Sequence, residues 1–198
     1  MPGGGERIGV LGGTFDPVHV GHLAAAVDVR HALRLDRVLL VVAGVPWQKV
    51  GVHHVSPAED RYAVVEAAVA GLDGVEASRL EVDRGGPSYT ADTLAELADI
   101  HPGAELFLLV GSDVAADLDT WERAEEVRRR AALAVVARPG RAGGPPPGWT
   151  AEVVDTPALD VSSTDLRRRV ATGRPIDVLV PAGAVREIHR RGLYAGGG

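Results

Sequence analysis

The chain has 198 residues, of which 45% are hydrophobic and 24% charged, with no cysteine and a formal net charge of −6. Such a length suits one compact domain with a substantial core, and the missing thiols exclude disulfides and thiolate zinc sites and fit a reducing compartment. No apolar run reaches the ~18 residues of a membrane span, residues 1–5 lack the basic and apolar regions of a signal peptide, and an acidic chain offers no broad basic face to nucleic acid; a cytoplasmic protein that concentrates its positive charge locally is expected.

Taken in chain order, a buried strand is expected at 8–11, where the apolar run begins. It leads into Gly12-Gly13-Thr14-Phe15-Asp16-Pro17-Val18-His19-Val20-Gly21-His22. Adjacent glycines let backbone approach a ligand without Cβ interference. His19 and His22, three residues apart, fall on one face at the start of a helix expected at 22–33, beside its positive dipole end. Backbone N–H groups, a helix N-terminus and two imidazole donors converging on one spot describe an anion site, and a polyphosphate is the anion that fits.

A strand at 38–42 is followed by Pro46-Trp47-Gln48-Lys49. A helix at 57–70 is opened by Ser56-Pro57-Ala58-Glu59, a capping box with proline at the first helical position. A strand at 75–82, a polar segment from Arg84 to Thr90 and a helix at 91–100 come next. Then follow a strand at 106–110, Gly111-Ser112-Asp113, a helix at 121–130 and a strand at 133–137. The 138–150 segment, with Gly143-Gly144-Pro145-Pro146-Pro147, reads as a surface loop. A strand at 152–155 precedes Ser162-Ser163-Thr164-Asp165, hydroxyl caps with a carboxylate in the first turn of a helix at 164–171. A final helix is expected at 184–190, and 1–5 and 196–198 read as disordered tails. No internal repeat is visible.

Strands alternating with helices predict an α/β fold, a Rossmann-like open parallel sheet flanked by helices, in a single domain over 1–198. The polar clusters follow the predicted strands. In an open parallel sheet, ligands bind outside the carboxyl ends of the strands at the topological switch point, so the clusters support one shared site.

With these residues in hand, the chain resembles the bacterial nicotinate-nucleotide adenylyltransferases of the α/β nucleotidyltransferase superfamily, nearly from end to end. The resemblance is carried by Gly12 to Pro17 with His19-Val20-Gly21-His22, by Pro87-Ser88-Tyr89-Thr90-Ala91-Asp92-Thr93-Leu94 and by Val110-Gly111-Ser112-Asp113. It continues through Trp121, Arg138-Pro139-Gly140, Val161-Ser162-Ser163-Thr164-Asp165-Leu166-Arg167 and Gly192-Leu193-Tyr194. The histidine motif alone marks the superfamily; the Ser-Tyr-Thr segment and the late Ser-Ser-Thr-x-x-Arg narrow it. One departure is Gln48 before Lys49, where relatives often carry a histidine.

The resemblance implies attack by the 5′-phosphate of nicotinate mononucleotide on the α-phosphorus of ATP, giving deamido-NAD and pyrophosphate. Such a transfer needs alignment and charge stabilisation and no nucleophilic side chain. It implies that His19, His22 and Arg167 are catalytic, the histidines donating to ATP phosphate oxygens. It places Gly12, Gly13, Thr14, Phe15, Gly111, Asp113, Ser162, Ser163 and Thr164 about ATP, with Ser162, Ser163, Thr164 and Arg167 as a second phosphate clamp. It places Lys49, Ser88, Tyr89, Thr90 and Trp121 about the mononucleotide. Trp121 would stack on the pyridinium, and backbone N–H groups at Ser88-Tyr89-Thr90 would receive its carboxylate. Thr90 could also cap the helix at 91.

Bland alternatives stand beside these. Phe15 reads as packing, Asp16 as organising its turn through local backbone bonds, Arg61, Arg168 and Arg169 as solvated helix residues, and Arg84 and Arg138 as either near the substrates or exposed. Trp47 either packs beneath its loop or closes over substrate. Magnesium is expected with ATP, held mainly through phosphates, with no protein ligand named. An adenylyltransferase for nicotinamide mononucleotide or phosphopantetheine, a silent nucleotide-binding regulator and a redox Rossmann enzyme are the rival readings; the last lacks G-x-G-x-x-G.

Overall fold

The computed structural model describes residues 5–46, 55–137 and 147–196. The expectations for Trp47, Gln48, Lys49 and Arg138, for the tail residues 1–4, 197 and 198, and for the 138–150 loop as far as residue 146 lie outside them.

Six apolar runs become strands: β1 (Arg7–Gly13), β2 (Arg37–Val42), β3 (Val75–Ser78), β4 (Glu105–Gly111), β5 (Ala131–Ala137) and β6 (Ala151–Asp155). They form a parallel sheet of order β3-β2-β1-β4-β5-β6. Ile8 stands opposite Leu106, Leu108 opposite Leu133, and Val135 opposite Val153. A parallel sheet is covered on both faces, which is why β2 and β4 read as unbroken apolar runs and are buried from Val38 to Val42 and from Leu106 to Val110. The order reverses between β1 and β4, the switch point of open α/β sheets. Gly12 and Gly111 stand at the carboxyl ends of those two strands.

The helices are α1 (Val20–Ala32), α2 (Ala58–Val69), α3 (Leu80–Arg84), α4 (Thr90–Ile100), α5 (Ser112–Ala115), α6 (Ala124–Arg130), α7 (Ser163–Ala171) and α8 (Ala182–Arg190). Several of these depart from expectation. The strand expected over 75–82 ends at Ser78, and α3 follows, because the i,i+4 pair of Arg79 with Asp83 at 2.7 Å supports a helical turn. The helix expected from Trp121 starts at Ala124, since Arg123 takes a left-handed φ of 55° and Trp121 is extended after a 3-10 turn at Leu118–Thr120. Ser56 caps nothing: Pro57 is the N-cap of α2 and makes no side-chain cap bond. Thr90 lies within α4 behind the N-cap Tyr89. Ser162, in contrast, caps α7 as its sequence suggests, its hydroxyl accepting from the Asp165 N–H at 3.2 Å.

The chain's contacts divide into two compact units built from interleaved segments. The first comprises Met1–Gly12, Ala24–Leu39 and Tyr89–Ala158. Its core contains Ile8, Val10, Leu94, Leu109 and Leu133, all nearly inaccessible, and α4 packs on α6 there. The second comprises Gly13–Leu23, Leu40–Ser88 and Leu159–Gly198. Its core is the packing of α2 on α8, with Val64, Val65, Ala184 and Ile188 buried. Across that contact Arg191 pairs with Asp60.

The two helices approach closely at Gly183, where an added Cβ would run into the carbonyl oxygen of Ala67. A glycine within a helix normally gains about 0.5–1 kcal/mol on change to alanine. Here overpacking against backbone dominates, and Gly183→Ala is expected to destabilise the chain by about 1–3 kcal/mol. The midpoint of urea unfolding measures it, and a rise in the midpoint would show that the helices are not in this contact.

Candidate active site

The glycine-rich turn belongs to the second unit from Gly13 onward. Its two glycines have different reasons. A Cβ on Gly12 would meet nothing within 4 Å, so its backbone faces open space, whereas one on Gly13 would lie 2.8 Å from the Phe15 ring. Phe15, at a positive φ of 48°, folds its ring back under the turn and is 3% exposed. The ring meets His22 edge-on, with centroids 5.0 Å apart and planes at 81°. Phe15 is therefore a packed support for His22.

After the cis Asp16–Pro17 bond the chain enters α1, which starts two residues before the expected helix. His19 precedes α1 and His22 sits in its first turn. Their rings stack at 3.7 Å between centroids and 27° between planes. The His19 backbone N–H donates to His22 Nδ1 at 3.2 Å. A nitrogen that accepts carries no hydrogen, so the neutral His22 ring holds its proton on Nε2. Gly21 makes room for this stack, because a Cβ there would come within 3.1 Å of His19 Nδ1.

Three segments hold the turn in place. Asp16, 4% exposed, accepts at Oδ1 from the Tyr194 hydroxyl at 2.6 Å and at Oδ2 from the Ser56 N–H at 3.2 Å. These bonds reach far along the chain, which corrects the expectation that Asp16 serves its own turn. Arg61 is 1% exposed and donates to the carbonyls of Ser56 at 2.8 Å, Thr14 at 2.8 Å and Gly44 at 3.1 Å. The solvated helix residue expected there is instead a buried clamp. Burial lowers the Arg61 pKa, opposed by the charge of Asp16. Tyr194 is raised above the ordinary tyrosine range, first by burial, then by the Asp16 charge and the bond to it.

The third segment is α7. Ser163 donates its hydroxyl to the Pro17 carbonyl at 2.8 Å, and Arg167 Nη1 donates to the Asp16 carbonyl at 2.7 Å. Arg167 Nη2 reaches Thr164 Oγ1 at 3.4 Å. The N-terminus of α7 and the histidine turn thus meet, as a shared site requires. Arg168 and Arg169 both pair with Asp165, at 2.5 and 2.7 Å.

The remaining expected residues fall as follows. Ser88 accepts from the Gly44 N–H at 2.9 Å and donates its own N–H to Val45 O at 3.1 Å, so that N–H is not available to a carboxylate. Within the first unit, Tyr89 and Thr90 open α4, Trp121 is half-buried, and Asp113 is exposed with its carboxylate folded over Gly111. A Cβ on Gly111 would lie 2.5 Å from Asp113 Oδ1. Sequence reasoning missed Arg61, Ser56 and Tyr194. A signal existed for Arg61, which lies at i relative to the buried Val64, Val65 and Ala68 at i+3, i+4 and i+7 of α2. A charged residue on the apolar stripe of a helix asks for partners.

A doubly wound parallel sheet that opens through a Gly-Gly turn onto paired histidines defines the class: an α/β nucleotidyltransferase. Residues 10–169 match the cytidylyltransferase-like family. The chain is 46% identical over 194 residues to a Saccharopolyspora erythraea protein named "Probable nicotinate-nucleotide adenylyltransferase", covering 96% of this chain and 91% of that one. It is 46% identical over 189 residues to a Streptomyces coelicolor protein of the same name, covering 94% and 100%. Its fold is similar to that of Plasmodium falciparum nicotinic acid mononucleotide adenylyltransferase complexed with NaAD, with a TM-score of 0.77 at 17% identity over 96% of this chain and 97% of that one. The same enzyme complexed with APC gives 0.75 at the same identity and coverage. The chain belongs to the nicotinate-nucleotide adenylyltransferase family.

The half-buried phenol makes a pH dependence. Above pH ~10 an unfolded tyrosine releases its proton while folded Tyr194 keeps it, so the folded state binds more protons and stability falls as pH rises. Between pH ~9 and ~11 the wild type should lose about 1 kcal/mol more than Tyr194→Phe. Urea midpoints at the two pH values measure this; equal alkaline slopes would place the phenol outside this environment.

Proposed function

We propose that the chain transfers the adenylyl group of ATP to nicotinate mononucleotide in NAD biosynthesis, as a single nucleotidyltransferase domain acting in the cytoplasm. An oxygen of the mononucleotide 5′-phosphate attacks the α-phosphorus of ATP in line. The bond from that phosphorus to the β-phosphate bridging oxygen breaks, pyrophosphate leaves, and nicotinate adenine dinucleotide forms without a covalent enzyme intermediate. The observation that carries this reading is the stacked His19–His22 pair, with the His22 tautomer set by a backbone N–H and the N-terminus of α7 tied to the same turn. Donors already aimed where charge develops need no reorganisation during the reaction.

In this reading His22 donates from Nε2 to a phosphate oxygen, and His19, stacked on it, donates alongside. Arg167 has five N–H donors, more than its bonds to Asp16 and Thr164 use, and a guanidinium pairs well with phosphate. Ser162, Ser163 and Thr164 bring the N–H groups at the start of α7 to the departing pyrophosphate. Backbone at Gly12, Gly13 and Thr14 lies against ATP, the open space at Gly12 supporting close approach. Gly111 and Asp113 serve the adenosine, Lys49 a substrate phosphate, and Trp121 the pyridine ring, with N–H groups at Tyr89 and Thr90 for its carboxylate.

Enzymes of this class that use ATP generally need a divalent metal. Among the described residues there is no group of three or more metal-ligating side chains, and Asp16 is engaged by Tyr194 and Ser56. In this reading magnesium arrives with ATP and is held mainly through its phosphates, where it would neutralise phosphate charge. No helix among the described residues is long and apolar enough to cross a membrane.

A pyrophosphate-release assay with magnesium ATP tests the function. Nicotinate mononucleotide should turn over and its amide analogue much more slowly; equal rates would remove the acid preference. His22→Ala should lower turnover by about a hundredfold or more, the scale for one transition-state donor. An unchanged rate would take His22 out of the mechanism.

A further inference from the structure

We infer that Asp16, Arg61 and Tyr194 form a positioning frame for the reaction, which sets the His19–His22 pair from behind the turn without touching substrate. The inference rests on the proposed role of the two histidines as phosphate donors.

Buried charges are costly unless bonded, and apolar residues of similar volume often serve stability as well or better. This region nevertheless buries a guanidinium and a carboxylate beside a half-buried phenol, and their bonds converge on the turn. Arg61 joins the carbonyl of Thr14, within the turn, to those of Gly44 and Ser56. Ser56 in turn gives its N–H to Asp16. Asp16 sends one carboxylate oxygen to Tyr194 and the other to Ser56, while its carbonyl accepts from Arg167.

Thr14 and Asp16 are therefore both fixed, and they are the two neighbours of Phe15. Phe15 is the residue whose ring packs T-shaped against the His22 imidazole, with centroids 5.0 Å apart. Moving Asp16 moves Phe15, and with it the height of His22 against any phosphate. A planar guanidinium bonded to three carbonyls has no freedom to follow such a shift, so the frame gives the turn one position.

The test compares Tyr194→Phe with Tyr62→Phe, a control that removes a hydroxyl bonded to the exposed Glu66. Tyr194→Phe should lower kcat about tenfold, the effect of a displacement well under 1 Å, and leave KM for nicotinate mononucleotide unchanged. Tyr62→Phe should match the wild type. Long-range imidazole proton–nitrogen correlations, recorded without substrate, should report an accepting His22 Nδ1 in the wild type and a mixture of tautomers in Tyr194→Phe. Arg61→Lys, which keeps the charge and loses the three-way fork, is read by the same two measurements, so the outcome does not hang on one variant. Wild-type kcat together with wild-type imidazole signals in these variants overturns the frame. A wild-type protein that makes no dinucleotide overturns the functional reading instead, and the imidazole spectra still decide on the frame.

Discussion

The second unit depends on how two opposite charges are kept from water. Arg61 and Asp16 do not bond one another; Arg61 is satisfied by backbone carbonyls and Asp16 by the Ser56 N–H and the Tyr194 hydroxyl, so Ser56 serves both, accepting from one and donating to the other. A buried guanidinium needs several acceptors in one plane, and the carbonyls of Thr14, Gly44 and Ser56 supply them only if the three segments hold one arrangement. The cost of leaving any of these groups without a partner, about 1–3 kcal/mol each, is what makes that arrangement unique. Stability and geometry are here the same requirement.

Nucleotidyl transfer draws on such rigidity because the protein contributes direction more than bond chemistry. The small residues around the turn express the same demand in volume. Gly13 leaves space for the Phe15 ring and Gly21 for His19, so two aromatic contacts fix the imidazoles from opposite ends of the turn. Gly12 has no such neighbour and keeps its backbone accessible. Adjacent and identical in sequence, Gly12 and Gly13 do different work, one by admitting approach and the other by accommodating a ring.

Much of this was readable in the chain. The six strands, the parallel sheet and the placing of polar clusters at strand ends followed from apolar runs and periodicity, because a sheet covered on both faces imposes those patterns directly. The histidine turn and the Ser162 cap were local signals and were found. What escaped were contacts between residues distant in sequence. Ser56-Pro57-Ala58-Glu59 looks like a capping box, yet the Ser56 groups are taken by Asp16 and Arg61, and long-range bonds override the local motif. Asp16 misled in the same way, since an aspartate before proline ordinarily bonds its own turn. The segment 75–82 alternates like a strand, and the Arg79–Asp83 ion pair instead supports a helical turn after Ser78. Arg61 alone could have been caught, as a charge on an otherwise apolar helical stripe.

The hydrogen bond between Tyr194 and Asp16 spans 178 positions. Loop closure over so long an interval is paid late in folding, after local helices and neighbouring strands have formed. During translation the histidine turn lacks its phenolic support until residue 194 has left the ribosome. A growing chain can thus acquire most of its secondary structure before the histidine turn is held by the Tyr194 hydroxyl, so the final geometry of that turn belongs to a chain that extends through residue 194.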